Sequence, residues 1–259
     1  MKTIEGRGAL ITGGSKGIGL ASARSLAQAG AGVVVAARSE AGVQAAAATL
    51  RDEGHRVWGV VCDVTDEASV SRMAEAALGH LGTIDILVNS AGVAPSNPLH
   101  RTTLQEWEVT MAVNVTGAFL CTRAVLPAMV ERGWGRVINV ASIVARMGAA
   151  YISTYAASKH ALLGFTRSIA QEVAAKGVTV NAVCPGYVAT DMMELALDNI
   201  AAKTGRPREE GLAHFEGLSP QQRVFEPEEV AFLVATLCDH RARGINGQGI
   251  VLDGGGVQA

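Results

Sequence analysis

The chain has 259 residues and a formal net charge of −2, from 22 basic and 24 acidic side chains. This balance excludes the strongly basic surface that is typical of nucleic-acid-binding proteins. Hydrophobic residues make up 49% of the chain but aromatic residues only 4%. A core of Ala, Val, Ile and Leu is therefore expected, as in parallel sheets that are covered by helices.

Seven short apolar runs are predicted as strands: 9–12, 32–37, 57–62, 84–89, 136–140, 178–183 and 249–252. Ala-rich stretches with helical spacing lie between them, at 17–29, 40–53, 67–80, 103–131 and 154–176. This alternation predicts an α/β fold, with a Rossmann-like, doubly wound parallel sheet and helices on both faces.

The whole chain, 1–259, is predicted to form a single dinucleotide-binding and catalytic domain. Residues 189–226 break the alternation, because they hold two short helical pieces, several charges and no strand pattern. After the sixth strand such an insertion is well placed to cover a substrate, so we predict a lid there. A solvated surface excursion is the alternative interpretation.

The first residues of the chain, its apolar stretches and its cysteines and histidines indicate the cellular compartment and the absence of a metal. The sequence reaches a glycine-rich segment too soon for a secretion signal, and its apolar stretches are interrupted before the roughly 18 residues of a membrane span. Four widely spaced cysteines are interpreted as reduced core thiols, and the six scattered histidines give no metal-ligand spacing. We therefore expect a cytoplasmic protein with no metal and no membrane or nucleic-acid partner.

The first predicted strand leads through Thr12-Gly13-Gly14-Ser15-Lys16-Gly17-Ile18-Gly19 into a helix. Gly13 permits a tight turn, Gly17 lets the backbone approach a pyrophosphate, and Gly19 permits close helix packing. The amino terminus of the helix offers free N–H groups to phosphate. The spacing differs from the commoner Gly-x-Gly-x-x-Gly, but its place between strand and helix predicts a dinucleotide site.

Cofactor choice is predicted from the end of the second strand. An acidic residue there would bind a ribose 2′-hydroxyl, but position 37 is Ala. Arg38 follows and can pair with a 2′-phosphate, and Lys16 adds a second positive charge. The sequence therefore favours NADP(H) over NAD, with a merely solvated Arg38 as the alternative.

Tyr155 and Lys159 stand four residues apart in a predicted helix, so their side chains project from one face. A nearby ammonium stabilises a phenolate, so we expect Lys159 to lower the pKa of Tyr155 and make it a usable acid/base. Ser142, just after the fifth strand, can hydrogen-bond the same substrate oxygen. Alone, Tyr-x-x-x-Lys is common and usually a surface pair.

Taken together, these motifs resemble the short-chain dehydrogenase/reductase family, in the branch with subunits of about this length, over essentially the whole chain. The resemblance implies a catalytic set of Asn114, Ser142, Tyr155 and Lys159. It implies that Asn114 helps to hold a water that connects the lysine to solvent, and it suggests a homotetramer. The cofactor-binding residues it implies, together with those above, are Gly13, Ser15, Lys16, Gly17, Ile18, Gly19, Arg38, Asp63, Val64, Asn89, Ala91, Gly92, Tyr155, Lys159, Pro185, Gly186, Val188 and Thr190.

The predicted activity is NADP(H)-dependent reduction of a ketone or 3-oxoacyl carbonyl to a secondary alcohol, or the reverse, with Tyr155 as general acid/base. The alternatives are an NAD-dependent hydroxyacyl or alcohol dehydrogenase and a catalytically silent cofactor-binding sensor. Ile143, Val144, Met147 and Tyr187 are predicted to line the substrate pocket, which suits an uncharged or amphipathic carbonyl. An acyl thioester would need basic residues at its mouth, and the candidates are Arg146, Lys203, Arg206 and Arg208.

Overall fold

In a computed structural model, residues 4–258 are described, with Thr204 described by its backbone alone. Their strands form one parallel sheet in the order β3-β2-β1-β4-β5-β6-β7. The strands are β1 Gly8–Thr12, β2 Gly32–Ala37, β3 Val57–Val61, β4 Ile86–Asn89, β5 Gly135–Val140, β6 Val178–Pro185 and β7 Gly249–Leu252. The order reverses between β1 and β4, which is where doubly wound sheets bind ligands. The predicted fold class is confirmed.

Helices cover both faces of this sheet. They are α1 Gly17–Gln28, α2 Glu40–Asp52, α3 Glu67–Leu81, α4 Leu104–Met111, α5 Gly117–Glu131, α6 Ser153–Val173, α7 Asp191–Thr204, α8 Arg208–Gly217 and α9 Pro227–Cys238. Buried residues of α1, α2 and α9 pack in one core cluster, and those of α3, α5 and α6 pack in a second. The second strand shows why its run is apolar throughout: Val33 and Val35 face the first cluster, and Val34 faces the second.

The predicted helix over 103–131 is divided in the structure. Residues Ala112–Thr116 form a π-helical turn between α4 and α5, with Asn114 at its centre. A π turn carries one extra residue, so it shifts the helical register, and such turns are frequent at functional sites. The cause of this one is tertiary, since the Asn114 carboxamide is held by groups outside the helix.

The same stretch, Leu104–Glu131, is long and apolar enough to cross a membrane by length and composition alone. The expectation that every apolar stretch is interrupted earlier was therefore too strict. In the structure Cys121, Val125 and Met129 of this stretch are buried in the core cluster beside the sheet. The stretch is thus accounted for as a core helix of the α/β fold.

The four cysteines are free and buried, in agreement with the interpretation of core thiols. Residues 189–226 contain α7 and α8, the two helical pieces predicted from the sequence. The segment returns to the sheet through a bridge between Val188 and Phe225. It thereby passes beside the carboxyl ends of the strands, where the predicted site residues also lie.

Candidate active site

The glycine-rich turn between β1 and α1 requires glycine at two positions for lack of space. Gly13 has φ 65°, and a Cβ atom on it would lie 2.8 Å from the Ala91 nitrogen. A Cβ atom on Gly19 would lie 2.2 Å from the Gly13 carbonyl oxygen. Thr12 fixes the facing loop, because its hydroxyl accepts hydrogen bonds from the Ser90 and Ala91 amides. The turn is therefore packed tightly against the segment that follows β4.

The outer side of the turn offers main-chain donors of the kind that a bound pyrophosphate requires. Gly17 has φ 52°, and a Cβ atom there would meet the Thr190 side chain at 3.2 Å. Helix α1 begins after Lys16 with no side-chain cap and no acidic residue in its first turn. Uncapped N–H groups at a helix amino terminus attract phosphate oxygens. The residues of this turn fit the diphosphate of a dinucleotide.

Two charged side chains flank the end of β2 on the adenine side. Arg38 is exposed, and it lies close enough to Asp63 to affect that carboxylate electrostatically. Asp63 accepts hydrogen bonds from the Thr65 amide and hydroxyl, at 2.9 and 2.7 Å. These bonds, with a smaller contribution from Arg38, lower the pKa of Asp63, so its carboxylate is charged at neutral pH. Arg38 remains a solvent-accessible guanidinium beside the predicted ribose position.

Three residues of the predicted cofactor set have side chains that face the interior. Asn89 donates to Thr122 and Asn139 within the core, at 3.1 and 2.9 Å. Ile18 packs against the first core cluster, and Val64 is 8% exposed. The structure therefore leaves mainly the backbones of Asn89 and Val64 for a cofactor site, whereas Ile18 is only partly buried and can also contribute its side chain.

Ser142, Tyr155 and Lys159 converge at the carboxyl end of β5. Ser142 is the second residue after that strand, and its side chain lies close enough to the Tyr155 hydroxyl to affect the ionisation of that group. The Lys159 Nζ lies 5.5 Å from the centre of the Tyr155 ring and donates a 2.8 Å hydrogen bond to the Val140 carbonyl oxygen. The lysine is 5% exposed and Ser142 8%, whereas Tyr155 is partly open to the cleft.

Burial dominates the titration of the two ionisable groups in this set. It raises the pKa of Tyr155 to about 12, although the bond with Ser142 acts in the opposite direction. It also lowers the pKa of Lys159 to about 8. The expected lowering of the tyrosine pKa by the lysine is thus not met in this structure, because loss of hydration outweighs the opposing effect of Ser142. Tyr155 is held in its protonated form, which is the form that donates a proton.

Asn114 ties the π turn to two neighbouring segments. Its Oδ1 accepts from the Val93 amide, and its Nδ2 donates to the Val93 carbonyl and to Ser158 Oγ, all at 2.9 Å. A Cβ atom on Gly92 would lie 3.3 Å from Asn114 Oδ1 and 3.7 Å from Lys159 Nζ. The structure therefore brings Asn114, Gly92 and Lys159 together, as the sequence predicted.

A cavity of about 120 Å³ lies against Ile143, the residue that follows Ser142 in the chain. Its lining is mostly apolar and consists of Ile143, Met147, Gly186, Tyr187, Leu218, Ser219, Phe225, Asp253, Gly256 and Val257. Three of the four predicted lining residues are therefore found there, but Val144 is only 4% exposed and belongs to the core. Tyr187 is stacked on Phe215 of α8, with ring centres 4.8 Å apart.

The segment after β6 joins the cavity to the glycine-rich turn. The Gly186 amide donates to the Leu252 carbonyl, and Thr190 Oγ1 donates to the Val188 carbonyl. Lys16, predicted as a cofactor ligand, pairs with Asp191 at 2.8 Å, and both side chains are about two-thirds exposed. Pro185, Gly186, Val188 and Thr190 are thus placed between the two predicted ligand regions.

The basic residues proposed for the pocket mouth are engaged within the protein. Lys203 donates to the Ser96 carbonyl and Asn97 Oδ1, and Arg208 pairs with Glu194 and Asp198. Arg146 turns inward and donates to the Gly249 carbonyl at 2.5 Å. The structure gives no exposed cluster formed by these three side chains.

Some participants in the site were not found from the sequence. Ser158 and the Val140 carbonyl are two such participants. Ser158 Oγ accepts a hydrogen bond from Asn114, and the Val140 carbonyl accepts one from Lys159. The chain's last turn is another, since the Asp253 carboxylate accepts from the Gly255, Gly256 and Val257 amides and folds that turn over the cavity. The Asp-Gly-Gly-Gly run was the available signal for the turn.

A parallel sheet with a glycine-rich turn after β1, and a Ser-Tyr-Lys set at the carboxyl end of β5, defines a Rossmann-type oxidoreductase. The family described as short chain dehydrogenase matches residues 7–200. The chain belongs to this short-chain dehydrogenase/reductase family.

Similar proteins agree with this assignment. The chain is 41% identical over 251 residues to a protein of Streptomyces virginiae named as a ketoacyl reductase of the monensin polyketide synthase, covering 96% of each. It is 40% identical over 252 residues to 3-oxoacyl-acyl-carrier-protein reductase of Vibrio cholerae, covering 97% of this chain and 98% of that protein. A crystal structure of a variant of actinorhodin polyketide ketoreductase with NADPH superposes with a TM-score of 0.93 at 36% identity, covering 96% of each chain.

Proposed function

We propose that the protein is an NADPH-dependent reductase of 3-oxoacyl or related ketone carbonyls. The observation that carries the proposal is the convergence of Ser142, Tyr155 and Lys159, with a mostly apolar cavity against the adjoining segment at Ile143 and Met147. The names of the similar proteins, two ketoacyl reductases and a polyketide ketoreductase with NADPH, support this substrate class and this cofactor.

When bound, the nicotinamide supplies the hydride. In this chain, Ser142 and Tyr155 hydrogen-bond the carbonyl oxygen and so stabilise the negative charge that develops on it. Tyr155 then gives its proton to the forming alkoxide, which yields the secondary alcohol and leaves a phenolate. The Lys159 ammonium stabilises that phenolate through its charge. Because Tyr155 is protonated in the structure, the reductive direction needs no prior ionisation.

The proton must then be replaced from solvent. We assign the route to Lys159 and the π turn, because Asn114 and Lys159 both approach Gly92. The carboxamide of Asn114 is held on three sides, so it fixes the position of the main chain beside the lysine. The main chain beside the lysine is a suitable place for the relay water that the family resemblance implies.

Preference for NADPH is assigned to Arg38. It is exposed beside the end of β2, where position 37 is Ala and offers no carboxylate to a ribose hydroxyl. A guanidinium binds a phosphate in bidentate geometry, whereas a carboxylate would repel it. Ser15 and Lys16 lie in the adjoining turn and complete a polar surface there.

We further propose a cytoplasmic homotetramer in which residues 189–226 cover the substrate. Apolar side chains are exposed on two surfaces: Leu104 at 72% and Trp107 at 42% on α4, and Phe232 at 72% on α9. Exposed apolar patches of this kind mark interfaces between subunits. Sedimentation velocity at micromolar concentration tests this, and a monomer would contradict it.

The function is tested by NADPH oxidation with a panel of 3-oxoacyl thioesters, cyclic ketones, small ketones and quinones. Wild type and Tyr155→Phe are compared, with NADPH binding measured by fluorescence. We expect turnover of one carbonyl class that falls by about 10²–10⁴-fold in the variant, with NADPH binding nearly unchanged. Equal turnover in the two proteins would refute the assigned role of Tyr155. NADPH binding without any turnover, in either direction, would favour the silent-sensor alternative.

A further inference from the structure

The turn that follows β7 is held in one conformation by a single carboxylate. Asp253 is 6% exposed, and its Oδ1 accepts hydrogen bonds from the Gly255 and Gly256 amides at 2.9 and 3.1 Å. Its Oδ2 accepts a hydrogen bond from the Val257 amide at 2.7 Å. Hydrogen bonds to an ionised carboxylate are stronger than those between neutral groups. Residues 253–257, here called the Asp253 turn, therefore form a fixed element.

Two other segments hold the Asp253 turn from outside. Ser219 is 5% exposed, and its Oγ donates to the Asp253 carbonyl at 3.1 Å. Gly254 has φ 74°, and a Cβ atom on it would lie 2.8 Å from Ser219 Oγ. A Cβ atom on Gly186 would lie 3.0 Å from the Asp253 Cβ. The turn is thus packed between the segment that follows β6 and the last part of residues 189–226.

The cavity of about 120 Å³ has walls of two kinds. Met147 and Leu218 are 42% and 48% exposed, so their side chains have room to move aside for a ligand. Phe225 is 2% exposed and belongs to the first core cluster. Val257 also lines the cavity, and its main chain is bonded to the Asp253 carboxylate. Val257 is therefore a rigid lining residue whose size can be changed without altering the core.

The volume and the lining together restrict the occupant. A cavity of about 150 Å³ accommodates benzene, which has six carbon atoms. By that measure the cavity of about 120 Å³ holds an apolar group of about four or five carbon atoms. Its one charged lining residue, Asp253, already accepts hydrogen bonds from the amides of its own turn. The group that fits is therefore an uncharged, short alkyl tail.

We propose that Val257 is a specificity-determining residue, which limits the alkyl tail of the carbonyl substrate to about four or five carbon atoms. The inference rests on the proposed function, because it places the tail of the 3-oxoacyl or ketone substrate in this cavity. The cavity is lined by Ile143, which follows Ser142 in the chain, so a tail bound there extends from the catalytic segment. The inference deepens the proposed function by naming short-chain carbonyls as the substrate class.

The test measures kcat/KM for 3-oxoacyl thioesters with unbranched tails of one to nine carbons beyond the ketone. For wild type we expect kcat/KM to rise up to about fourfold per added carbon until the tail has about five. It should fall at least about tenfold at nine carbons. Val257→Ala removes two methyl groups from the wall, so its limit should move to about seven carbons. Val257→Leu adds one carbon and should move the limit to about four.

Two further variants separate specificity from stability. Val130→Ala is the matched control, because Val130 is also partly buried but packs on α5 against the second core cluster. It should lose stability and keep the tail limit of wild type. Asp253→Asn tests the rigidity of the wall, since it weakens the hydrogen bonds that hold the turn. Its discrimination between tails of five and nine carbons should shrink to less than about threefold.

Binding gives a readout that needs no turnover. Straight-chain methyl ketones are titrated calorimetrically into the protein with NADP bound, which has no hydride to give. The dissociation constant should fall with chain length up to a limit that shifts among wild type, Val257→Ala and Val257→Leu as above. The same limit in all three proteins would overturn the inference, even with Tyr155-dependent turnover intact. Shifted binding limits without turnover of any carbonyl would support the size limit and count against the proposed function.

Discussion

The two ends of the central sheet treat buried charge differently. At the amino ends of the strands, Asp85 is almost fully buried and accepts hydrogen bonds from the Gly8 amide and the Thr83 hydroxyl, at 3.1 and 2.9 Å. Its carboxylate lies 3.6 Å from the guanidinium groups of both Arg7 and Arg132. The guanidinium groups of Arg7 and Arg132 are therefore compensated by a carboxylate of the protein itself, whereas the fully buried Arg136 at the amino end of β5 donates to the main-chain carbonyls of Gly135 and Gly177.

At the carboxyl end of β5, the buried ammonium of Lys159 is not paired with a carboxylate in the described part of the chain. Lys159 is buried and donates to a neutral acceptor, the Val140 carbonyl, and no carboxylate pairs with it among residues 4–258. The cost is visible in its pKa, which burial lowers to about 8. A charge kept at a cost to stability is typical of a functional site. The comparison indicates that Asp85 serves stability, whereas the buried ammonium of Lys159 is placed for a negative charge that arrives with the ligands or forms during reaction.

Among the substitutions that test this comparison, Lys159→Met is expected to change the free energy of unfolding most. A change from 10.5 to about 8 in the lysine pKa corresponds to a penalty of about 3 kcal/mol in the folded state. The folded pKa is the lower one, so the penalty is full below pH 8 and disappears as pH rises through 10.5. The variant removes it and should unfold at higher urea below pH 8, even though the Val140 carbonyl loses its donor.

This prediction is checked by urea unfolding of both proteins between pH 6 and pH 10 at one protein concentration. The stability gain should shrink steadily toward the alkaline end, and turnover should be lost throughout. A difference that is constant across this pH range would show that the lysine carries no burial penalty.

The opposite end should respond in the opposite sense. Asp85→Asn removes the charge that compensates Arg7 and Arg132, and we expect a loss of about 2 kcal/mol in unfolding free energy. The matched control is Glu67→Gln, which breaks the exposed pair with Arg123 and should cost less than about 1 kcal/mol. The folded Asp85→Asn protein should keep its turnover. Reduced kcat with intact stability would mean that the two ends are not separate in role.

The helices and strands could largely be predicted from the sequence. The different environments of Asp85 and Lys159 at the two ends of the sheet could not. Strand β2 was predicted with its observed bounds, because a parallel strand buried on both faces reads as one apolar run. The π turn at Asn114 was not predicted, since its cause is the bonding of that side chain to Val93 and Ser158, which lie far away in sequence. Local spacing carries no information on such partners.

The chemistry of the site shows the same limit. Spacing placed Tyr155 and Lys159 together correctly, but it could not show that burial raises the pKa of the tyrosine to about 12. Likewise Arg146 was expected at the pocket mouth because arginines are usually solvated, and only packing reveals that it contacts Gly249. Burial and direction depend on the assembled fold, and a residue pattern does not contain them.

A smaller effect is expected at Arg38, an exposed cation at the carboxyl end of β2. Arg38→Ala removes a charge-assisted contact with the 2′-phosphate and should raise KM for NADPH about tenfold, with KM for NADH nearly unchanged. Arg56→Ala is the control, because Arg56 is also exposed but lies just before β3, at the amino end. Parallel titrations with both cofactors measure this. Equal changes for NADPH and NADH would remove Arg38 from the specificity site.

The smallest expected effect concerns Lys16 and Asp191, a pair at the carboxyl end in which a cation faces a carboxylate. Both side chains are exposed, so the pair itself contributes less than about 1 kcal/mol to stability. Asp191 and a cofactor phosphate would compete for Lys16, since this lysine is also predicted to contact a cofactor phosphate. If that contact forms, Lys16→Met should weaken NADPH binding about twofold to threefold, whereas Asp191→Asn, which frees the lysine, should strengthen it by a similar factor. Isothermal titration at low salt resolves such differences. Equal weakening in both variants would show that the ion pair, by fixing α7 against the glycine-rich turn, matters more than the free ammonium.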